Sequence, residues 1–135
     1  DFLTHYRHDL ARSIEAIPLD RVQQVIDVFD DARQHGRRIF TCGNGGSAST
    51  ASHFVCDIVK GASYERATRF KIMCLSDNQA TLTAYSNDVS YDVALMEPLK
   101  KAGYRPEDAA SLIASGTAMG MLVPPAIFMI APANC

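Results

Sequence analysis

Arg38-Ile39-Phe40-Thr41-Cys42-Gly43-Asn44-Gly45-Gly46-Ser47-Ala48-Ser49 is the stretch on which the reading of this chain turns. Arg38 to Cys42 is a short apolar run that predicts a strand. The run from Ser47 to Lys60 predicts a helix that stops before Gly61. Strand, glycine-rich turn and helix start, in that order, make an anion site. Glycines let the backbone turn tightly and approach a ligand with no Cβ in the way. The first amides of a helix have no partner inside it, and with the helix dipole they favour a phosphate. Ser47 adds a hydroxyl. The pattern lacks the Gly-Lys-Ser/Thr of nucleotide hydrolases and the third glycine of dinucleotide-binding loops. That leaves a phosphate on a small non-nucleotide ligand, or an ordinary glycine turn between strand and helix.

Two further groups of residues lie downstream. His53 and Asp57 are four apart on the predicted helix, so they share one face. Imidazole and carboxylate together can hold a zinc-type metal or act as acid and base. A half-buried His beside a surface Asp fits the spacing equally well. Phe70 to Leu75 reads as a second strand, followed by Ser76-Asp77-Asn78 and then by Ser86-Asn87-Asp88-Val89-Ser90-Tyr91. Polar residues past the carboxyl ends of parallel strands are where open α/β sheets bind ligands. Asn and Asp also simply favour turns.

The remaining pattern fills in the architecture. Apolar residues at Phe2, Leu3, Tyr6, Leu10, Ile14 and Ile17 form a helical stripe that Pro18 interrupts. Leu19 to His35 predicts a second helix, with Gly36 as its stop. Short helices are expected over Gln79 to Tyr85 and Tyr91 to Ala102. A helix at Glu107 to Ile113 and a buried strand at Leu122 to Ile130 complete the reading. This alternation predicts an α/β fold, a three-layer αβα arrangement around a parallel sheet. A single domain is expected over 1–135: N-terminal helices over 1–36, an α/β core over 37–102 and an apolar tail over 103–135.

Taken together, the loop, Ala51-Ser52-His53-Phe54, Leu75-Ser76-Asp77-Asn78, Leu82-Thr83-Ala84, Ser86-Asn87-Asp88 and Tyr91 resemble the sugar isomerase (SIS) domain family. Within it they are most similar to the phosphoheptose isomerases, over about residues 1–101. The resemblance implies a flavodoxin-type sheet and a sugar phosphate ligand. It also implies ketose-to-aldose isomerisation of sedoheptulose 7-phosphate through an enediol. Asn44, Gly45 and Gly46 would sit against the substrate, with Ser47 toward its phosphate. Asn87 and Asp88 would contact the sugar end. His53 matches a position that can ligate zinc, and Asp57 falls where these isomerases carry a catalytic, metal-binding Glu. The chemistry itself requires no cofactor, and zinc would be held by His53 and Asp57. Dimers or tetramers are implied, with the N-terminal helices packed between subunits. Some SIS members act instead as non-catalytic scaffolds, including one that associates with the bacterial replication initiator.

The resemblance changes after Lys101. The family's second Ser/Thr-rich loop, ending in Gly-Asn-Ser, does not occur in these residues, and no His follows His53. Placing Leu112 to Thr117 on the corresponding strand and loop would make Ser115 and Thr117 the remnant of a phosphate clamp. This end reads as truncated or atypical. Residues 103–133 resemble a fragment of the large membrane subunit of tripartite (TRAP) transporters.

Composition narrows the setting. The chain has 135 residues, 47% of them hydrophobic, and a net charge of −2, so direct nucleic-acid binding is not expected. Its four cysteines form no close metal-type pair, which fits a reducing cytoplasm. Asp1 to His5 has none of the character of a secretion signal. Ala109 to Cys135 carries no charge and is long enough to span a bilayer. Pro124-Pro125 would break such a helix, so a buried element or an oligomer contact is expected instead.

Overall fold

A computed structural model describes the backbone of residues 1–122 and 127–130, and side chains through residue 114. The elements run in the order α1 (Phe2–Glu15), α2 (Leu19–Gln34), β1 (Arg38–Cys42), α3 (Gly46–Lys60), β2 (Lys71–Cys74), α4 (Gln79–Asp88), α5 (Tyr91–Lys101), α6 (Pro106–Leu122) and β3 (Ile127–Ile130). They cluster into two compact units, Asp1–Asp31 and Ala32–Cys135.

The first unit holds α1 and most of α2. Asp1 caps α1 by accepting from the Leu3 amide at 3.3 Å, and Arg12 in the last turn complements the helix dipole. Phe2 and Tyr6, one turn apart, stack with ring centroids 6.2 Å apart. The apolar stripe expected here is present on the helix, but α1 buries none of its residues and Phe2 is 76% exposed.

The second unit is built on a three-stranded sheet in the order β2-β1-β3. β1 and β2 are parallel as expected, with Arg38 beside Lys71 and Thr41 beside Cys74. β3 adds an antiparallel edge, pairing Cys42 with Ile127 and Ile39 with Ile130. β1 is therefore central, and its side chains alternate between two covered faces. Phe40 and Cys42 join Leu75, Leu95, Leu99, Ala102, Ala109 and Ile113 in the main core, beneath α5 and α6. Thr41 faces the other way, where its hydroxyl donates to the Ala51 carbonyl of α3 at 3.3 Å. Ala51 and Cys74 form a second small core on that side. Burial on both faces explains why β1 reads as a nearly continuous apolar run.

In the tail the helix expected at Glu107 to Ile113 is present and runs on to Leu122, which differs from the alternative placing of Leu112 to Thr117 on a strand and loop. Pro106 to Leu122 is one helix, so Ser115 and Thr117 lie on α6 and not on a loop past a strand. The local chemistry favours this outcome. Pro106 suits the first helical position, Glu107 and Asp108 complement the dipole, and alanine-rich sequence follows. Arg105 clamps Asp108 with two bonds of 2.8 and 2.9 Å, which holds that carboxyl below the usual carboxylate range. The strand expected at Leu122 to Ile130 is represented by Ile127–Ile130. Residues 123–126, including Pro124-Pro125, lie outside the described residues, as does Cys135. Among the described residues no helix is long and apolar enough to cross a membrane.

Leu99 is fully buried where α5 meets the sheet. Leu99→Ala should lower stability by about 2–5 kcal/mol, read as a lower urea midpoint with an unchanged slope.

Candidate functional site

The site grows from the end of β1. Cys42 is buried, and burial, reinforced by neighbouring Cys74, pushes its thiol up to about 11. It stays protonated at neutral pH and serves packing rather than nucleophilic chemistry. Immediately after it the backbone folds back onto the start of α3. A Cβ on Gly43 would lie 2.5 Å from the Ser47 carbonyl carbon, 2.6 Å from its oxygen and 2.8 Å from the Ala48 nitrogen. These are backbone atoms and cannot swing aside, so only glycine fits. Gly45 has φ 54° and ψ −123°, a conformation that L side chains rarely adopt. The turn is closed by the Ser47 amide on the Asn44 carbonyl at 3.0 Å and the Ala48 amide on the Gly45 carbonyl at 3.1 Å. Among the described residues no acceptor answers the amides of Gly45 or Gly46, and no side chain caps α3. A Cβ on Gly46 would meet no atom within 4 Å.

Two contacts from outside the loop hold it. The Ser76 hydroxyl, just past β2, donates to the Gly43 carbonyl at 3.2 Å. The Tyr91 hydroxyl, at the first residue of α5, donates to Asn44 Oδ1 at 2.5 Å. Burial, helped by Cys42 and Asp92, raises the Tyr91 phenol above its ordinary value, so it remains a donor. Sequence reasoning did not assign roles to Ser76 and Tyr91, although both lie in polar clusters that it singled out.

A cavity of about 570 Å³ opens beside the loop, within the size range of small-molecule sites. Ala48, Ser49, Ser52, His53 and Cys56 supply the α3 wall, and Ser76, Asp77 and Gln79 the opposite one. Ser49, Ser52, His53 and Cys56 recur at helical spacing, so one stripe of α3 faces the space. Both walls lie at the carboxyl ends of the two parallel strands, the expected location.

His53 and Asp57 do meet, with Nε2 3.5 Å from Oδ2, and both side chains are mainly exposed. Among the described residues no group of three or more His, Cys, Asp or Glu is placed to hold a metal. Two donors fall short of the three or four that zinc takes, so the described residues do not complete a zinc site.

The other expected residues are more dispersed. Among the described residues, only His53 of the anticipated set lines the cavity; the loop reaches it through Ala48 and Ser49. Asp57 lies one turn beyond His53. Asn87 and Asp88 sit in the last turn of α4, which runs past the expected end at Tyr85, and Asn87 Nδ2 donates to Asp88 Oδ1 at 2.8 Å. Among the described residues no hydrogen bond joins either of them to the glycine loop. Asn78 caps α4 by accepting from the Thr81 amide at 3.0 Å, the turn role open to it from the start. The side chains of Ser115 and Thr117 lie outside those described.

Gly43→Ala should destabilise the protein by about 1–3 kcal/mol, since backbone must shift to admit the methyl. Chemical denaturation monitored by circular dichroism measures the loss.

The family model for the SIS domain matches residues 5–117. The lincomycin biosynthesis protein LmbN of Streptomyces lincolnensis is 40% identical over 67 residues, which cover 50% of this chain and 24% of LmbN. A phosphoheptose isomerase of Synechocystis is 27% identical over 84% of this chain and 58% of its own length. A probable phosphoheptose isomerase of Thermoplasma acidophilum is 33% identical over 73% of this chain and 55% of its own length. The chain thus spans between a quarter and three fifths of these relatives. The family match runs on through Thr117, so residues 103–117 fall within it, and these relatives lend no support to the transporter resemblance of the tail. The conclusion from loop, sheet and match together is that this chain belongs to the SIS domain family.

Proposed function

We propose that the protein binds a sugar phosphate and interconverts ketose and aldose forms, in the manner of its phosphoheptose isomerase relatives. The observation that carries the reading is the space above Gly46. Among the described residues the amides of Gly45 and Gly46 lack protein acceptors, and no atom lies within 4 Å of a Cβ built on either glycine. A phosphate would be gripped there by oriented donors at the positive end of α3. Asn44 and Ser47 flank that position, and the cavity beside it has room for a sugar chain.

The isomerisation moves a proton between adjacent sugar carbons through an enediol. Asp57 would act as base and His53, at 3.5 Å, would exchange protons with it. Asn87, Asp88, Ser115 and Thr117 are proposed as substrate contacts on the strength of the family pattern. Cys42, Cys56 and Cys74 are free thiols, which fits the proposed cytoplasmic setting.

Association of copies belongs to the same proposal. Phe2, Leu3, Tyr6, Leu10 and Ile14 are all exposed on one helix. A second copy would remove that apolar area from water. Sedimentation should show a dimer or tetramer, and Leu10→Glu with Ile14→Glu should shift it to monomer. A wild-type monomer at tens of micromolar refutes the association.

Activity is tested with sedoheptulose 7-phosphate. Gly46→Ala should change stability by no more than about 0.5 kcal/mol, because its Cβ meets open space. It should still weaken sugar-phosphate binding by about tenfold or more in calorimetry. Asp57→Ala should keep binding and lower turnover by about 10²–10⁴-fold. Wild-type binding without turnover would favour a non-catalytic scaffold, and absence of binding would end the reading.

A further inference from the structure

We infer that Tyr91 is a positioning residue that locks the Asn44 side chain as a hydrogen-bond donor toward the ligand, and so selects ligands presenting oxygen rather than ammonium at that point. This rests on the sugar-phosphate reading above and specifies what the loop accepts.

The argument starts from how firmly Tyr91 is held. It is the first residue of α5, whose start is capped by the Ser90 hydroxyl accepting from the Val93 amide at 3.4 Å. On the same helix Ala94, Leu95 and Leu99 are buried, and Leu95 and Leu99 share the core with Cys42, the residue that precedes the loop. Helix and loop entrance are therefore fixed to one another through packed side chains. From that base the phenol reaches across to Asn44, forty-seven residues away in sequence.

The consequence lies in the asymmetry of a carboxamide. One end of Asn44 accepts and the other donates two hydrogens. Tyr91 donates to Oδ1, takes one of its two lone pairs, and so fixes which way the carboxamide is turned. The backbone of Asn44 is held independently by the Ser47 amide on its carbonyl. With the main chain held and Oδ1 turned to the phenol, Nδ2 is the end of the amide that has no partner among the described residues. An Nδ2–H pairs with a hydroxyl, carbonyl or phosphate oxygen and offers nothing to an ammonium, which can only donate. Without the phenol hydroxyl the amide can turn over and present oxygen, and the discrimination weakens.

Tyr91→Phe removes the hydroxyl and keeps the ring. Two measurements on the full chain decide the matter. The first needs no ligand: the Asn44 side-chain NH₂ signals in a ¹⁵N–¹H spectrum should move in Tyr91→Phe, and unmoved signals overturn the inference. The second compares affinities by calorimetry. Sedoheptulose 7-phosphate should bind about three- to tenfold more weakly to Tyr91→Phe, the value of one hydrogen bond. Inorganic phosphate, which uses the loop amides, should stay within about twofold. Glucosamine 6-phosphate should lose less affinity than the neutral sugar phosphate, narrowing the gap between them. Equal losses for all three ligands would mean a merely structural tyrosine and refute the assignment. If the wild type binds no sugar phosphate, the functional reading fails, and the ligand-free spectrum alone then decides whether Tyr91 orients Asn44.

Discussion

The close approach of Gly43 to the backbone of Ser47 and Ala48 is the constraint on which the functional end of this protein rests. A Cβ there would stand 2.5 Å from main-chain carbon, nearer than side chains tolerate. Because glycine permits it, the chain leaves β1 and enters α3 with almost no intervening loop. The first turn of the helix is thereby fixed at the carboxyl edge of the sheet. The opening residues of α3 and the residues following β2 then share one cavity wall to wall. A longer or looser connection would leave the helix start free to rotate away from Ser76 and Asp77.

Rigid surroundings keep that turn in place. β1 is central and buried on both faces, with Phe40 and Cys42 beneath α5 and α6 and Thr41 against α3. Cross-connections then run from core to loop. Ser76 holds the Gly43 carbonyl from the neighbouring strand, and Tyr91 holds Asn44 from α5. Each bond is modest in net energy. Their value lies in geometry, since they attach a glycine-rich segment with high conformational entropy to elements that packing has already ordered. The site itself stays polar and open, as exchange of a charged small ligand requires.

Much of this was legible in the sequence. Apolar β1, the glycine run and the helix that follows were visible because each rests on local chemistry: periodicity, backbone freedom and the need to satisfy helix-end amides. The His53–Asp57 contact was readable for the same reason, as four-residue spacing on a helix places two side chains together whatever the rest of the chain does. The extent of α4 was not. Asn87 and Asp88 look like turn residues in isolation, yet they continue the helix to its last turn. In the tail the helix was legible from Glu107 to Ile113, but its continuation to Leu122 was not, because short apolar runs with Ser and Thr suit strand or helix.

By itself, then, the sequence determined the strand-turn-helix unit and the membership that its linked motifs signal, since both depend on residues adjacent in the chain. The tertiary structure decided which distant side chains complete it. Ser76 and Tyr91 become partners of Gly43 and Asn44 only because parallel pairing sets the end of β2 beside the end of β1 and core packing swings the start of α5 over the loop. It also decided the antiparallel course of β3, which no periodicity could announce. Such contacts join residues more than thirty positions apart. Their formation is governed by how whole elements bury their faces, and local pattern carries no record of that.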